Sequence, residues 1–462
     1  MIEKLVPGER YFGTAFDPQS EPKNSYPAAL QLKVDGRVEL ELLESEPRSG
    51  TSSSADSPWH QQVCATSPAF FVFSGQSVGA LLYGCQLIRD ELGYRAGRFL
   101  TFAIEFCVVG ETDFPGHGSA GTTRSEITGL FSWVGEAAIE SSRTFDGDGG
   151  VERVELRTLD HSATALHKTD SHTVSVESKW GYASRRFGPL GPTVQLRSIG
   201  TVQVELCEPD LWRPNLHIHE MIRDLLSISR WFPEEIVECQ VTFDLHRHSL
   251  EHERDRKWCV LQGWDAIGGG ASTEPRNPHL YPFEDLQPAG MGRWIDLYSN
   301  RSFRRVITRL NTILRSRPDA YHKLTLVGLA IEALAHFIVT EIDTQPKKTQ
   351  SISQCCGRLL KYTRSISSDE VPHGWARFFA DNYNDYKHSE KKYQAGDFEV
   401  MQASGVGLYL IRLAIGKILG VSEEELSKRR IYDPLFPVHF TYGLSLDPGD
   451  QWKQIEECKR VE

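Results

Sequence analysis

Two hydrophobic periods divide this chain. Up to about residue 245 apolar residues alternate with polar ones or fall in short runs; after Arg293 they recur every three or four positions. A strand sends successive side chains to opposite faces, whereas a helix gathers positions three and four apart on one face. The sequence therefore predicts an α+β multidomain protein. Residues 1–285 form a β-rich, sandwich- or barrel-like domain, 293–425 an all-α helical bundle, and 426–462 a C-terminal tail. A chain of 462 residues is also longer than one compact core usually organises.

The strand pattern is clearest at Leu30, Leu32 and Val34, then Asp35-Gly36, then Val38, Leu40 and Leu42. Asp-Gly tolerates the positive φ of a tight hairpin turn. Further strands are predicted at Phe70 to Phe73, Phe99 to Val109, His172 to Glu177, Thr201 to Leu206 and Val237 to Leu245, with one helix from Ile218 to Trp231. The Ser-rich stretch Ser49 to Ser57 reads as a loop, and the Gly- and Pro-rich stretch Gly263 to Gly292 as a linker.

In the second half, Leu324, Val327, Ile331, Leu334 and Ile338 place five apolar side chains on one helix face. Other helices are expected at Ser302 to Leu314, Ser351 to Arg364 and Gly374 to Ser389. A last helix carries Leu408, Ile411, Ile415 and Ile418 and ends near Gly420. The run Leu324 to Thr340 is interrupted by Glu332 and His336, which fits a core helix better than a bilayer span.

Net charge is −11, which argues against a protein that coats nucleic acid non-specifically. The nine cysteines include no C-x-x-C pair. That usage fits reduced thiols and a cytoplasmic location.

The segment from Trp375 to His388 can carry chemistry. Trp375, Phe379, Tyr383 and Tyr386 make an aromatic stripe suited to the bundle core. Arg377, Asp381, Asn384 and His388, spaced four, three and four apart, share the opposite face. Asn384 and His388 can therefore touch one small group. Lys387, Lys391 and Lys392 add positive charge near the helix end.

Asn384, three intervening residues and His388 resemble the R-N-x-x-x-H form of the HEPN motif. "LVGLAIEALAHFIV", which embeds Glu332, resembles an early HEPN helix, and "VGLYLIRLAIGKILGV" its closing helix. Upstream, "RYFGTAFDP", the Asp-Gly hairpin, "LLYG", "LTFAIEFCVVGETDF", "EITGLFSWVGE" and "HEMIRDLLSIS" resemble, in that order, the N-terminal domain of ApeA-like anti-phage proteins. The resemblance implies a metal-independent endoribonuclease of abortive-infection type, needing no cofactor. It implies RNA, tRNA included, as substrate, a phage-derived trigger sensed by the β-rich domain, and a homodimer formed through the helical domain, away from any membrane. His388 would act as acid and base on a reaction driven by the RNA 2′-hydroxyl, with Asn384 orienting the groups.

The chain departs from the motif at one position: Tyr383 stands where the family has its phosphate-binding Arg. Arg377, Lys387 and Lys391 are the candidate replacements, although Arg377 lies eleven residues, about 16 Å, from His388 along the helix. Two other readings therefore stay open. The HEPN domain could be catalytically silent and serve as an RNA-binding, nucleotide-binding or dimerising module. Alternatively, the β-rich domain binds a carbohydrate or protein while the helices oligomerise. Glu332 reads as one half of a structural ion pair. His248 and His252 have the spacing of two metal ligands on a helix. With His246 they lie in a charged run without a completing ligand, so a solvated surface is expected. Gly268-Gly269-Gly270 lacks the Lys-Ser/Thr of a phosphate loop.

Overall fold

The structure is a computed structural model. It describes residues 4–17, 25–44, 70–93, 97–110, 120–135, 138–159, 163–188, 191–208, 212–243, 258–268, 277–346, 350–367, 370–372, 374–388 and 396–436. The Ser49 to Ser57 loop, His246, His248, His252, Gly269, Gly270, Lys391 and Lys392 lie outside the described residues.

The first eight strands are β1 (Arg10–Phe16), β2 (Ser25–Leu32), β3 (Val38–Glu44), β4 (Phe70–Gly75), β5 (Gly79–Tyr83), β6 (Gln86–Gly93), β7 (Gly97–Ile104) and β8 (Phe106–Gly110). Then come β9 (Thr122–Ile127), α1 (Leu130–Val134), β10 (Ile139–Phe145), β11 (Val151–Thr158), β12 (Thr164–Lys168), β13 (His172–Gly188) and β14 (Gly191–Leu206). The region ends with α2 (Trp212–Asn215), α3 (His217–Arg230), β15 (Ile236–Thr242) and β16 (Cys259–Gln262). The rest is helical: α4 (Phe283–Tyr298), α5 (Arg301–Ser316), α6 (Ala320–Phe337), α7 (Ile352–Ser367), α8 (Trp375–His388), α9 (Asp397–Leu419) and α10 (Glu423–Arg429).

Among the described residues fourteen strands join one continuous antiparallel sheet, ordered β12-β13-β14-β9-β15-β16-β8-β5-β4-β1-β2-β3-β7-β6. β10 and β11 form a separate hairpin. The expected hairpin pairs Leu32 with Val38. Its turn spans Lys33 to Gly36, with Gly36 at φ 88°. Val34, expected in the strand, is a turn residue and is 88% exposed. The predicted strand Phe99 to Val109 breaks at Glu105: β7 pairs with β3 and β6, whereas β8 pairs with β5 and β16.

The centre of the sheet is buried on both faces. Phe71, Phe73, Ala80, Leu82, Cys107 and Val109 enter one core with Leu30, Leu40 and Phe102. Their neighbours Val72, Leu81, Tyr83, Phe106 and Val108 enter another. Unbroken apolar runs such as "FFVF" and "FCVV" are what two-sided burial demands. The second core continues through Ile222, Leu225 and Leu226 of α3 into Trp294, Phe303, Ile331 and Ile411 of the helical region. Trp294 Nε1 donates to the Met221 carbonyl at 2.8 Å. The stretch read as a linker therefore includes the first part of a packed helix, α4, kinked at Gln287.

Residues 320–342, comprising α6 and a π-helical turn, and α9 are long and apolar enough to cross a bilayer, but 50% and 78% of their most apolar windows are buried within the fold. The beginning of the C-terminal tail is also packed, with Asp433, Leu435 and Phe436 buried. All seven described cysteines are free thiols, and Cys207 is the exposed one.

Candidate functional site on helix α8

The aromatic stripe seats α8. Trp375, Phe379 and Tyr383 are buried, with ring centroids 5.5 Å and 6.4 Å apart along the helix. Trp375 Nε1 donates to the Ala403 carbonyl of α9 at 2.9 Å. Tyr386 departs from the expected stripe. It is half exposed and stacks on Tyr321 of α6, ring centroids 5.2 Å apart. Asn382 is buried on the core side and donates to the Phe378 carbonyl at 2.8 Å.

Gly328 explains how Tyr383 fits. A Cβ there would lie 2.3 Å from the Tyr383 ring, so a bare backbone lets α6 and α8 close around it. Burial, followed by the nearby Glu332 carboxylate, raises the Tyr383 phenol pKa well above its usual range. The position where the motif has Arg is thus occupied by a core aromatic. Lys387 lies over its ring at 5.2 Å and pairs with Glu332 at 3.8 Å. That pair holds Lys387 on the α6 side of the helix.

Arg377, Asp381 and Asn384 are exposed. Arg377 pairs with Asp381 at 3.7 Å. Burial raises the Asp381 pKa and Arg377 partly offsets it. His388 is the last residue of α8, one turn after Asn384; its side chain lies outside the described residues. The described part of the site is a solvent-facing polar strip on a helix anchored by its opposite face.

Three features escaped the sequence reading. Arg412 is wholly buried in α9, where it contacts Asp433 and the carbonyls of Ile228 and Ser229. A lone charge inside "LYLIRLAIG" was its available signal. His219 is buried against Thr123 and Ser125, at 2.9 and 2.7 Å. Finally, a cavity of about 840 Å³ opens where sheet and helices meet, lined in part by Glu105, Glu220, Arg223, Trp264 and Arg315. Glu220 and Arg223 share one face of α3, but Glu105, Trp264 and Arg315 come from separate segments that no spacing connects to them. Among the described residues, no group of three or more His, Cys, Asp or Glu is placed to hold a metal ion.

No family model, no curated protein and no solved structure matches the chain.

Proposed function

We propose that this chain is a HEPN-type effector that cleaves RNA without a metal ion in bacterial anti-phage defence. Its helical region is an antiparallel bundle that pairs as a homodimer, and its sheet region senses the infection signal. The observation that carries this reading is the exposed strip Arg377, Asp381 and Asn384 on a helix whose next turn ends at His388. A His titrates near neutral pH and can move the 2′-hydroxyl proton, while Asn384 holds the reacting groups. The cavity touching both regions is a suitable place for a trigger to act on the helices.

A second reading has a specific observation behind it. Tyr383 is core, and Lys387 is held by Glu332, so neither supplies a free cation beside His388. On that reading the helical region binds RNA without cutting it. The deciding assay is cleavage of total RNA by purified protein in chelator, unmodified against His388→Ala. Cutting that disappears in the variant supports the nuclease. Protection of RNA without cutting supports the second reading.

A further inference from the structure

Helix α5 carries a dense set of arginines and no acid. Residues 300–318 include Arg301, Arg304, Arg305, Arg309, Arg315 and Arg317 and no acid, in a chain of net charge −11. Phe303, Val306, Ile307, Leu310 and Ile313 bury the opposite face. Arg301, Arg304, Arg305 and Arg317 are exposed and Arg309 is half-buried. Arg315 is engaged within the fold, donating to the Glu234 carbonyl at 3.3 Å. The others make no ion pair with a described residue, although Arg309 Nη1 donates to the Arg305 carbonyl at 3.4 Å. Thr308 and Thr312 lie on the same outer face. Their hydroxyls are occupied by the carbonyls four residues back, at 2.9 and 2.8 Å, so guanidinium groups dominate what a ligand meets.

A second feature lies at the end of this row. Arg317 closes α5, and α6 begins three residues later. Tyr321, in the first turn of α6, stacks on the half-exposed Tyr386 near the C-terminal end of α8. Arg301 to Arg309 span about 12 Å of the outer face of α5, and the helix ends at Arg317, three residues before the α6 turn that carries the Tyr321–Tyr386 pair. Unpaired guanidinium groups recognise phosphate, and exposed aromatic rings accept stacked bases.

We propose that the outer face of α5 binds the backbone of single-stranded RNA and directs it over Tyr386 to the end of α8. This rests on the reading that RNA is the partner, and it names the surface that holds it.

The test is fluorescence anisotropy of a labelled single-stranded oligouridine on the full chain carrying His388→Ala, at salt from about 50 to 300 mM. The expected result is salt-dependent binding that Arg304→Gln/Arg305→Gln/Arg309→Gln weakens at least tenfold. Each lost phosphate contact lowers the salt slope by about 0.7, so the triple variant should lose about 2. The corresponding triple Lys variant should retain most of the affinity, and an unchanged Tm should confirm that each variant folds. Binding by the Gln variant with unchanged affinity and slope would overturn the inference and leave the RNA reading intact. No binding to the oligouridine at about 50 mM salt overturns the inference outright. Binding through α5 with no cleavage by the unmodified chain keeps the inference and defeats the nuclease.

Discussion

The Arg412 guanidinium grips the Asp433 carboxylate with both groups essentially inaccessible to water. Arg412 also donates to the carbonyls of Ile228, at 2.7 Å, and Ser229, at 2.8 Å, at the end of α3. One side chain of α9 thus joins the tail to the helix that underlies the sheet, and places a cation where the α3 dipole is negative. Removing one partner leaves an uncompensated buried charge. Arg412→Met or Asp433→Asn should each cost about 3–5 kcal/mol, and the pair replaced together should cost less than the sum. Urea denaturation of the two single variants and the double measures this.

His219 gives a pH signature. Burial, with a smaller contribution from His217, lowers its pKa to about 3. Burial likewise lowers His279 to about 3, helped by Arg230. The unfolded chain takes up these protons near pH 6.5 and the folded chain does not. Their stabilising contribution is therefore complete above about pH 6.5 and lost progressively as pH falls toward 3. The urea midpoint should drop between about pH 7.5 and 5, and His219→Gln should make that drop shallower. An equal slope in the variant would contradict the assignment.

Gly328 and Tyr383 should be energetically coupled. Gly328→Ala sets a methyl against the Tyr383 ring and should cost about 1–3 kcal/mol through overpacking. In a Tyr383→Leu background the same substitution should cost markedly less. A double-mutant cycle on thermal or urea unfolding reads the coupling directly.

Arg317 holds φ at 47° at the end of α5, a conformation in which glycine is at ease and arginine is not. Arg317→Gly should stabilise the fold by up to about 1 kcal/mol. On the RNA-binding inference it should also weaken oligouridine binding. Gained stability with unchanged affinity would remove Arg317 from the binding surface.

On α8, Asn384→Ala should change unfolding free energy by no more than about 0.5 kcal/mol, because the side chain is exposed. On the nuclease reading it and His388→Ala should each reduce RNA cleavage by about 100-fold or more. Cleavage at the unmodified rate in both variants would take the chemistry away from this helix.

Local elements were legible because their causes are local. The Asp35-Gly36 turn, the apolar rhythm from Leu324 to Ile338, and Gly420 as a left-handed cap at φ 96° all depend on neighbours in sequence. Pairings between distant segments were not. β9 lies between β14 and β15, and nothing in "TTRSEI" names those partners. The break at Glu105 was hidden because Phe99 to Val109 is apolar enough for one strand, and which partner each half takes is decided elsewhere in the chain. The α8 faces were readable from periodicity. Tyr386 was misplaced because azimuth alone does not reveal where the neighbouring helices stop. The cavity and Arg412 depend on which segments meet in space.

The core shared between sheet and helices has a thermodynamic consequence. Cutting the chain between β16 and α4 would strip water-excluding partners from α3 on one side and from Trp294 on the other. Two regions that differ in every local rhythm should therefore melt as one cooperative unit. A ligand that tightens the sheet would be felt as added rigidity in the helices that share its core.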